Sequence, residues 1–149
     1  MSEHTAKISW SRGSRDFSYD TYSRDHTWTF GAGVQLQASA APDYMGSAEK
    51  VDPEEAFVAA LSSCHMLTFL AIAARKHLIV DSYVDAAVGY LEKDDEGTLC
   101  VTRVVLRPKV SFAAQSSPSA SALEKLHQQA HEHCFIANSV RSSVTIESA

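Results

Sequence analysis

The fold is decided by residues 52–77, which read DPEEAFVAALSSCHMLTFLAIAARKH. Asp52 suits an N-cap, Pro53 suits the first helical turn, and Glu55 follows the cap by three residues, as a capping box requires. The positive charges at 75–77 are favoured by the helix dipole at a C-terminus. Between these ends the segment is apolar nearly all round. The pattern predicts one long helix that is buried on most of its sides.

The central part of this stretch, residues 56–74, is about as long as a segment that crosses a bilayer. Polar side chains stand in its middle, however, and no second apolar span follows. We therefore interpret it as the buried helix of a soluble protein with no membrane partner. A chain of 149 residues has difficulty enclosing such a helix by itself. Burial against the same helix of a second copy would solve this problem, so we expect a homodimer.

Segments with period-two alternation stand on both sides of the long helix and predict antiparallel sheet. Before the helix, residues 7–10 form a short strand candidate, and residues 26–30 and 34–38 form a hairpin candidate. After it come two long strand candidates at residues 83–92 and 98–112, a second helix, and a last strand candidate at residues 140–146. Ser117-Pro118 and the box Ser121-x-x-Glu124 open the second helix, which runs to about Cys134. This order predicts an α+β fold, with residues 1–149 as a single domain.

The composition narrows the possible partners. A hydrophobic content of 45% is enough for one core, and 18 acidic against 13 basic residues give a net charge of -5. Because nucleic-acid surfaces need clustered Lys and Arg, we expect no nucleic-acid partner. The first residues show no basic segment followed by an apolar run, and three cysteines cannot all pair within one chain. We therefore expect a cytoplasmic protein.

The three cysteines have different settings. Cys64 lies well inside the first helix and shares an apolar face with Leu61, whereas Cys134 ends the second helix on the stripe that includes Ala130. A buried cysteine is most often a small packing residue. Two cysteines on the inward faces of two helices could nevertheless meet. Cys100 stands in a strand candidate, where we expect it only to pack.

The histidines offer a different chemistry. His127 and His131 are spaced for one helix face, and His65, His133 and the helical cysteines are further possible zinc ligands. No Cys-x-x-Cys or His-Glu-x-x-His spacing is present, and histidines on a polar helix face are usually solvated. We therefore predict no metal and no other cofactor, with a zinc-binding protein as an alternative.

A reactive cysteine needs a neighbouring cation, because a thiol is mostly protonated at neutral pH and burial favours the protonated form further. His65 follows Cys64 directly, and successive helical residues diverge in direction, so it is poorly placed. An arginine keeps its charge when it is desolvated. The N-terminal region offers Arg12, Arg15 and Arg24.

Two motifs resemble a known family. Residues 52–64, DPEEAFVAALSSC, strongly resemble the helix motif of the OsmC/Ohr family of organic hydroperoxide reductases, and residues 133–139, HCFIANS, resemble its second-cysteine motif. The element order and the separation of the motifs also agree, so the resemblance covers nearly the whole chain. It implies an OsmC-like α+β fold with antiparallel sheets around a long central helix, in an intertwined homodimer.

The resemblance also implies site residues. Cys64 would be the peroxidatic cysteine, Cys134 the resolving cysteine, and Glu54 the acidic partner of a catalytic arginine. Asp52 stands where the family often has Asn, and the Gly-rich turn that normally precedes the arginine is not recognisable here. The segment at 22–26 is the closest match, which makes Arg24 our choice, while Arg12 and Arg15 stay open.

The implied function is a thiol peroxidase that reduces organic hydroperoxides to alcohols through a Cys64 sulfenic acid and a Cys64–Cys134 disulfide. An external dithiol, which in one branch of the family is a lipoylated protein, would restore the thiols. Apolar residues near the cysteines predict a substrate pocket formed by Phe57, Leu61, Phe69 and Phe135. A non-catalytic dimeric binding module with the same fold is a further alternative.

The spacing within the helix predicts a shared site. Glu54 and Cys64 are ten residues apart, which corresponds to about 15 Å of helical rise. An arginine bound to Glu54 would hardly reach Cys64 of the same helix. We therefore expect each site to combine the cysteines of one subunit with Arg24 and Glu54 of the other.

Overall fold

The computed structural model describes residues 1–148 and consists of two compact units, Met1–Ala56 and Phe57–Ala149. Its strands and α-helices, in chain order, are β1 (Ala6–Ser9), β2 (His26–Phe30), β3 (Gln35–Ala38), α1 (Pro53–Arg75), β4 (Val80–Asp85), β5 (Val88–Lys93), β6 (Leu99–Leu106), β7 (Pro108–Phe112), α2 (Ala120–Glu132) and β8 (Ser143–Ile146). The fold is α+β with antiparallel sheets and one long helix, as the sequence predicted.

The first unit contains a three-stranded antiparallel sheet in the order β1-β2-β3. The β2–β3 hairpin was predicted and is confirmed. Its turn closes with a hydrogen bond of 2.8 Å from the Gly33 amide to the Phe30 carbonyl. Gly33 has a φ of +79°, a conformation that side chains rarely adopt, so glycine suits this position.

The second unit contains two sheets where the sequence predicted two continuous long strands. Residues 83–92 are divided between β4 and β5, and residues 98–112 between β6 and β7. β4 pairs with β7, whereas β5 pairs with β6, so both halves of the predicted hairpin bend from one sheet into the other. Pro108, which has no amide hydrogen, begins β7 at this bend. β8 pairs with β6 in parallel, unlike the other strand pairs among residues 1–148.

The N-terminus of α1 carries the predicted capping box. The Glu55 amide donates to Asp52 Oδ1 at 2.7 Å, and the Asp52 amide donates to Glu55 Oε2 at 3.2 Å. The prediction that α1 is buried on most sides is wrong for a single chain. Its buried side chains lie four residues apart on one face and are Leu61, His65, Phe69 and Ala73. By length and composition α1 could span a membrane, and 22% of its most apolar window is buried.

Helix α2 begins at Ala120, between Ser117-Pro118 and the box at Ser121, the two signals from which its start was predicted. Ser119 is the N-cap, because its hydroxyl accepts a hydrogen bond of 3.2 Å from the Ala122 amide. The buried face of α2 packs against α1 in a core cluster of Phe69, Ala73, Leu126 and Ala130. A second core cluster joins Leu61 of α1 to Val104 and Leu106 of β6.

Candidate active site

The two helical cysteines occupy different environments. Cys64 lies in α1 and is half-buried, whereas Cys134 follows α2 by two residues and is 1% exposed. Three hydrogen bonds anchor Cys134. Its amide donates to the His131 carbonyl at 3.2 Å, its carbonyl accepts from the Asn138 amide at 3.0 Å, and its Sγ accepts from the Ala137 amide at 3.5 Å. The second thiol is therefore held by its own backbone surroundings.

Cys64 and Cys134 are both free cysteines, and Cys64 lines a cavity together with His133 and Phe135, the two neighbours of Cys134 in the chain. Burial raises the pKa of the Cys134 thiol above its usual value, the hydrogen bond from the Ala137 amide opposes this increase, and the nearby Cys64 raises the pKa further. Cys134 is therefore a thiol rather than a thiolate at neutral pH. Cys100 contacts a different group, with its Sγ 3.9 Å from Asp94 Oδ2.

Cys64 opens onto a cavity of about 640 Å³. The cavity is lined by Ala60, Ser63, Cys64, Leu67, Thr68, Ala71, Ile72, Arg75, His133 and Phe135. Of the four predicted pocket residues, only Phe135 lines this cavity. Leu61 and Phe69 lie instead in the two core clusters, and Phe57 lines a separate cavity of about 500 Å³. Cys64 therefore faces a largely apolar space next to an 80% exposed Phe135.

Arg24 lies in the first unit and is held by the loop that precedes it. Its guanidinium donates to the carbonyls of Tyr22 and Tyr19, both at 2.6 Å, and stacks on the Tyr22 ring at 3.7 Å from the centroid. Among residues 1–148 no ion pair joins it to Glu54, which is half-buried. Within one chain, the guanidinium is therefore bound by carbonyl oxygens instead of the predicted carboxylate.

The other two candidate arginines are more exposed. Arg12 donates to the Arg15 carbonyl at 2.8 Å, and both residues lie in an exposed segment, whereas Arg24 is half-buried. Arg24 also lines a cavity of about 490 Å³ in the first unit, together with Trp10 and Tyr22. Of the three, Arg24 has the surroundings that fix a side chain most firmly.

A buried histidine pair was missed by the sequence analysis. His65 and His127 are 1% and 3% exposed, and His65 Nε2 lies 3.1 Å from His127 Nδ1. The expectation of a solvated His127 is therefore wrong. A signal was available, because His127 stands four residues after Leu123 and three before Ala130, on the apolar stripe of α2.

The histidine pair has further polar neighbours. Burial lowers the pKa of His65 to about 4, and the positive charges of His127 and His131 lower it as well, whereas Asp85 opposes them. Asp85 accepts hydrogen bonds from the Ser62 hydroxyl at 2.5 Å and the Arg107 amide at 2.6 Å. Both histidines are therefore neutral near pH 7. Among residues 1–148, no three His, Cys, Asp or Glu side chains form a group that could hold a metal ion.

A long helix that carries a half-buried cysteine, with a second cysteine beside it, defines a dithiol protein of the α+β class. Residues 46–149 match the sequence model of the family described as OsmC-like protein, so the chain belongs to the OsmC-like family. This confirms the resemblance drawn from the two cysteine motifs. No curated protein sequence matches the chain.

Solved structures show the same fold. An OsmC-like protein of unknown function from Vibrio cholerae is 52% identical, with a TM-score of 0.97 and full coverage of both chains. An organic hydroperoxide resistance protein from Elizabethkingia anophelis is 14% identical, with a TM-score of 0.74 over 100% of this chain and 98% of the other. The organic hydroperoxide resistance protein OhrB of Bacillus subtilis is 20% identical, with a TM-score of 0.67 over 97% and 98%.

Proposed function

We propose that this protein is a cytoplasmic thiol peroxidase that reduces organic hydroperoxides with Cys64 and Cys134 and needs no cofactor. The observation that carries the proposal is that Cys64 faces the apolar cavity beside His133 and Phe135, the two chain neighbours of the buried Cys134. The shared fold with proteins named for organic hydroperoxide resistance supports it. An apolar cavity favours a hydroperoxide with an organic substituent over hydrogen peroxide.

The reaction has three steps. The Cys64 thiolate attacks the distal peroxide oxygen, the O–O bond breaks, and the alkoxide takes up a proton and leaves as an alcohol, so that Cys64 becomes a sulfenic acid. The Cys134 sulfur then attacks the Cys64 sulfur, the S–O bond breaks, and the departing hydroxide combines with the Cys134 proton to form water. An external dithiol, in our proposal that of a lipoylated protein, reduces the disulfide by exchange and is itself oxidised.

The raised pKa of Cys134 suits this order of events. Before peroxide arrives, a protonated Cys134 adds no second negative charge near Cys64. Its burial also separates it from solvent oxidants, since it is 1% exposed. Cys64 therefore reacts first with peroxide, and Cys134 reacts only with the sulfenic acid beside it.

The proposal includes a homodimer in which Arg24 and Glu54 of one subunit complete the site at the cysteines of the other. The exposed apolar residues around Cys64 support it, because Leu67 and Phe135 are 60% and 80% exposed and a second copy would cover them. An arginine at Cys64 would favour the thiolate and orient the peroxide.

Intact mass spectrometry tests the chemistry. Reduced protein treated with one equivalent of cumene hydroperoxide should lose the mass of two hydrogens, and peptide mapping should locate the disulfide at Cys64 and Cys134. Cys64→Ser should show no change, and Cys134→Ser should gain one oxygen as a sulfenic acid.

The matched control is Cys100→Ser, because Cys100 is the remaining cysteine and contacts Asp94 instead of the thiol pair. It should behave like the wild type. An unchanged mass in the wild type would overturn the peroxidase, and a disulfide that includes Cys100 would overturn the assignment of Cys134.

A further inference from the structure

A single side-chain hydrogen bond connects α1 and α2 among residues 1–148. It joins His65 Nε2 and His127 Nδ1 at 3.1 Å, with the two rings 9° from parallel and their centroids 5.4 Å apart. Phe69 stacks on the His127 ring, with a centroid distance of 4.5 Å. The two imidazoles are therefore fixed in position and orientation within the core.

This pair lies close to both cysteines along the chain. His65 directly follows Cys64, and His127 stands about 8 Å of helical rise before the end of α2. Cys134 follows that end and is attached to it by the hydrogen bond from its amide to the His131 carbonyl. Because helices move as rigid bodies, a shift of α2 along α1 at the histidine pair would displace Cys134 from Cys64.

The apolar contacts between the helices do not fix this register by themselves. Phe69 and Ala73 of α1 pack on Leu126 and Ala130 of α2, and hydrophobic contact is non-directional. A hydrogen bond between two buried rings requires one distance and one angle. Fixing register is the best-attested role of buried polar pairs, because the alternative registers leave their polar atoms unpaired.

We propose that His65 and His127 are positioning residues, which hold α2 in the register that keeps Cys134 beside Cys64. This proposal rests on one part of the proposed function, namely that Cys64 and Cys134 form a disulfide. In the neutral pair, one imidazole nitrogen donates and the other accepts. A glutamine amide at position 65 can replace Nε2 in this bond, and an asparagine amide at position 127 can replace Nδ1.

The test measures disulfide formation without peroxide. In glutathione buffers at pH 7.5, the protein dithiol and oxidised glutathione exchange to give the protein disulfide and two molecules of reduced glutathione. His65→Leu and His127→Leu should each lower this equilibrium constant about tenfold, which corresponds to the net free energy of one hydrogen bond. The double leucine variant should lower it no further, and His65→Gln and His127→Asn should retain the wild-type value.

Val105→Ala is the control for a general loss of stability, because Val105 is a buried residue of β6 that belongs to neither core cluster, and its truncation leaves the histidine pair intact. It should leave the equilibrium constant unchanged. Leucine variants with the wild-type constant, or a Val105→Ala variant with an equal decrease, would overturn the proposal. If the single leucine variants do not fold, the equilibrium constant of the double leucine variant tests the proposal. The double variant leaves neither imidazole buried without its partner.

The same measurements separate this proposal from the peroxidase. Wild-type protein that forms the disulfide in glutathione buffer but does not turn over hydroperoxide would refute the proposed function alone. Normal turnover together with an unaltered constant in the histidine variants would refute the positioning role alone.

Discussion

The burial of His65 makes the stability of this protein depend on pH. Burial, with the neighbouring His127 and His131, lowers the pKa of His65 from 6.5 to about 4. Between these two pH values His65 binds a proton in the unfolded chain but stays neutral in the folded chain. The free energy of unfolding therefore falls as the pH falls from 6.5 to about 4, and it is insensitive to this group above that range.

The size of the effect follows from the two pKa values. The difference between 6.5 and about 4 corresponds to about 3 kcal/mol once both states are protonated. At pH 5 the folded state is still mostly neutral, and the loss of stability relative to pH 8 is about 2 kcal/mol. Burial also lowers the pKa of His127, which adds in the same direction.

Urea unfolding under reducing conditions at pH 8, 7, 6 and 5 measures this loss. His65→Gln keeps an amide for the bond to His127 but cannot be protonated, so it should lose about 2 kcal/mol less than the wild type between pH 8 and pH 5. His4→Gln, which removes an exposed histidine, is the matched control. Equal losses in His65→Gln and the wild type would refute the reasoning.

Three further predictions concern the capping box, the core and the shared site. Asp52→Ala removes the acceptor of the Glu55 amide and should cost about 1 kcal/mol in urea unfolding, whereas Asp52→Asn should keep most of the stability. Phe69→Ala removes a fully buried ring and should cost about 3–5 kcal/mol, and a loss below 1 kcal/mol would contradict its central place in the core. Mixed dimers of Cys64→Ala and Arg24→Ala subunits should recover peroxidase activity that neither variant has alone, because one complete site forms across the interface. No recovery in verified heterodimers would contradict the sharing of the site.

Features decided by near neighbours could be predicted from the sequence. The capping box depends on two residues three positions apart, Asp52 and Glu55, and both of its hydrogen bonds are present. The β2–β3 hairpin depends on alternation and a glycine turn within a few residues. Ser121, with Glu124 three residues later, carries a stronger capping signal in the sequence than Ser119, yet the Ser119 hydroxyl is the one that accepts a hydrogen bond from the Ala122 amide and caps the helix.

Features decided by distant partners could not be predicted in this way. The alternation of residues 83–92 continues across the break between β4 and β5, because the break is set by which strand each half pairs with. The contact between His65 and His127 joins residues 62 positions apart. Nothing in the sequence next to either histidine indicates which residue it contacts.

The candidate site was predictable in part, for a related reason. The motifs around Cys64 and Cys134 predicted the two thiols of the site, and Cys64 shares a cavity with both chain neighbours of Cys134. The pocket residues were not identified, because a helix that is apolar all round has no periodicity to separate its core face from its cavity face. Phe69 and Leu67 are equally apolar in the sequence, yet the first is fully buried and the second lines the cavity.

The parallel pairing of β6 with β8 has a consequence for biosynthesis. A chain that emerges amino end first completes β5 and β6 as an adjacent hairpin, but β8 arrives only after α2 and the segment that holds Cys134. Cys64 has no neighbouring thiol until the segment that holds Cys134 has been made, and β8 begins only after that segment. The two cysteines are thus among the last parts of the protein to be brought near each other, and a nascent chain stalled before residue 143 would contain both thiols while the β5-β6-β8 sheet is incomplete.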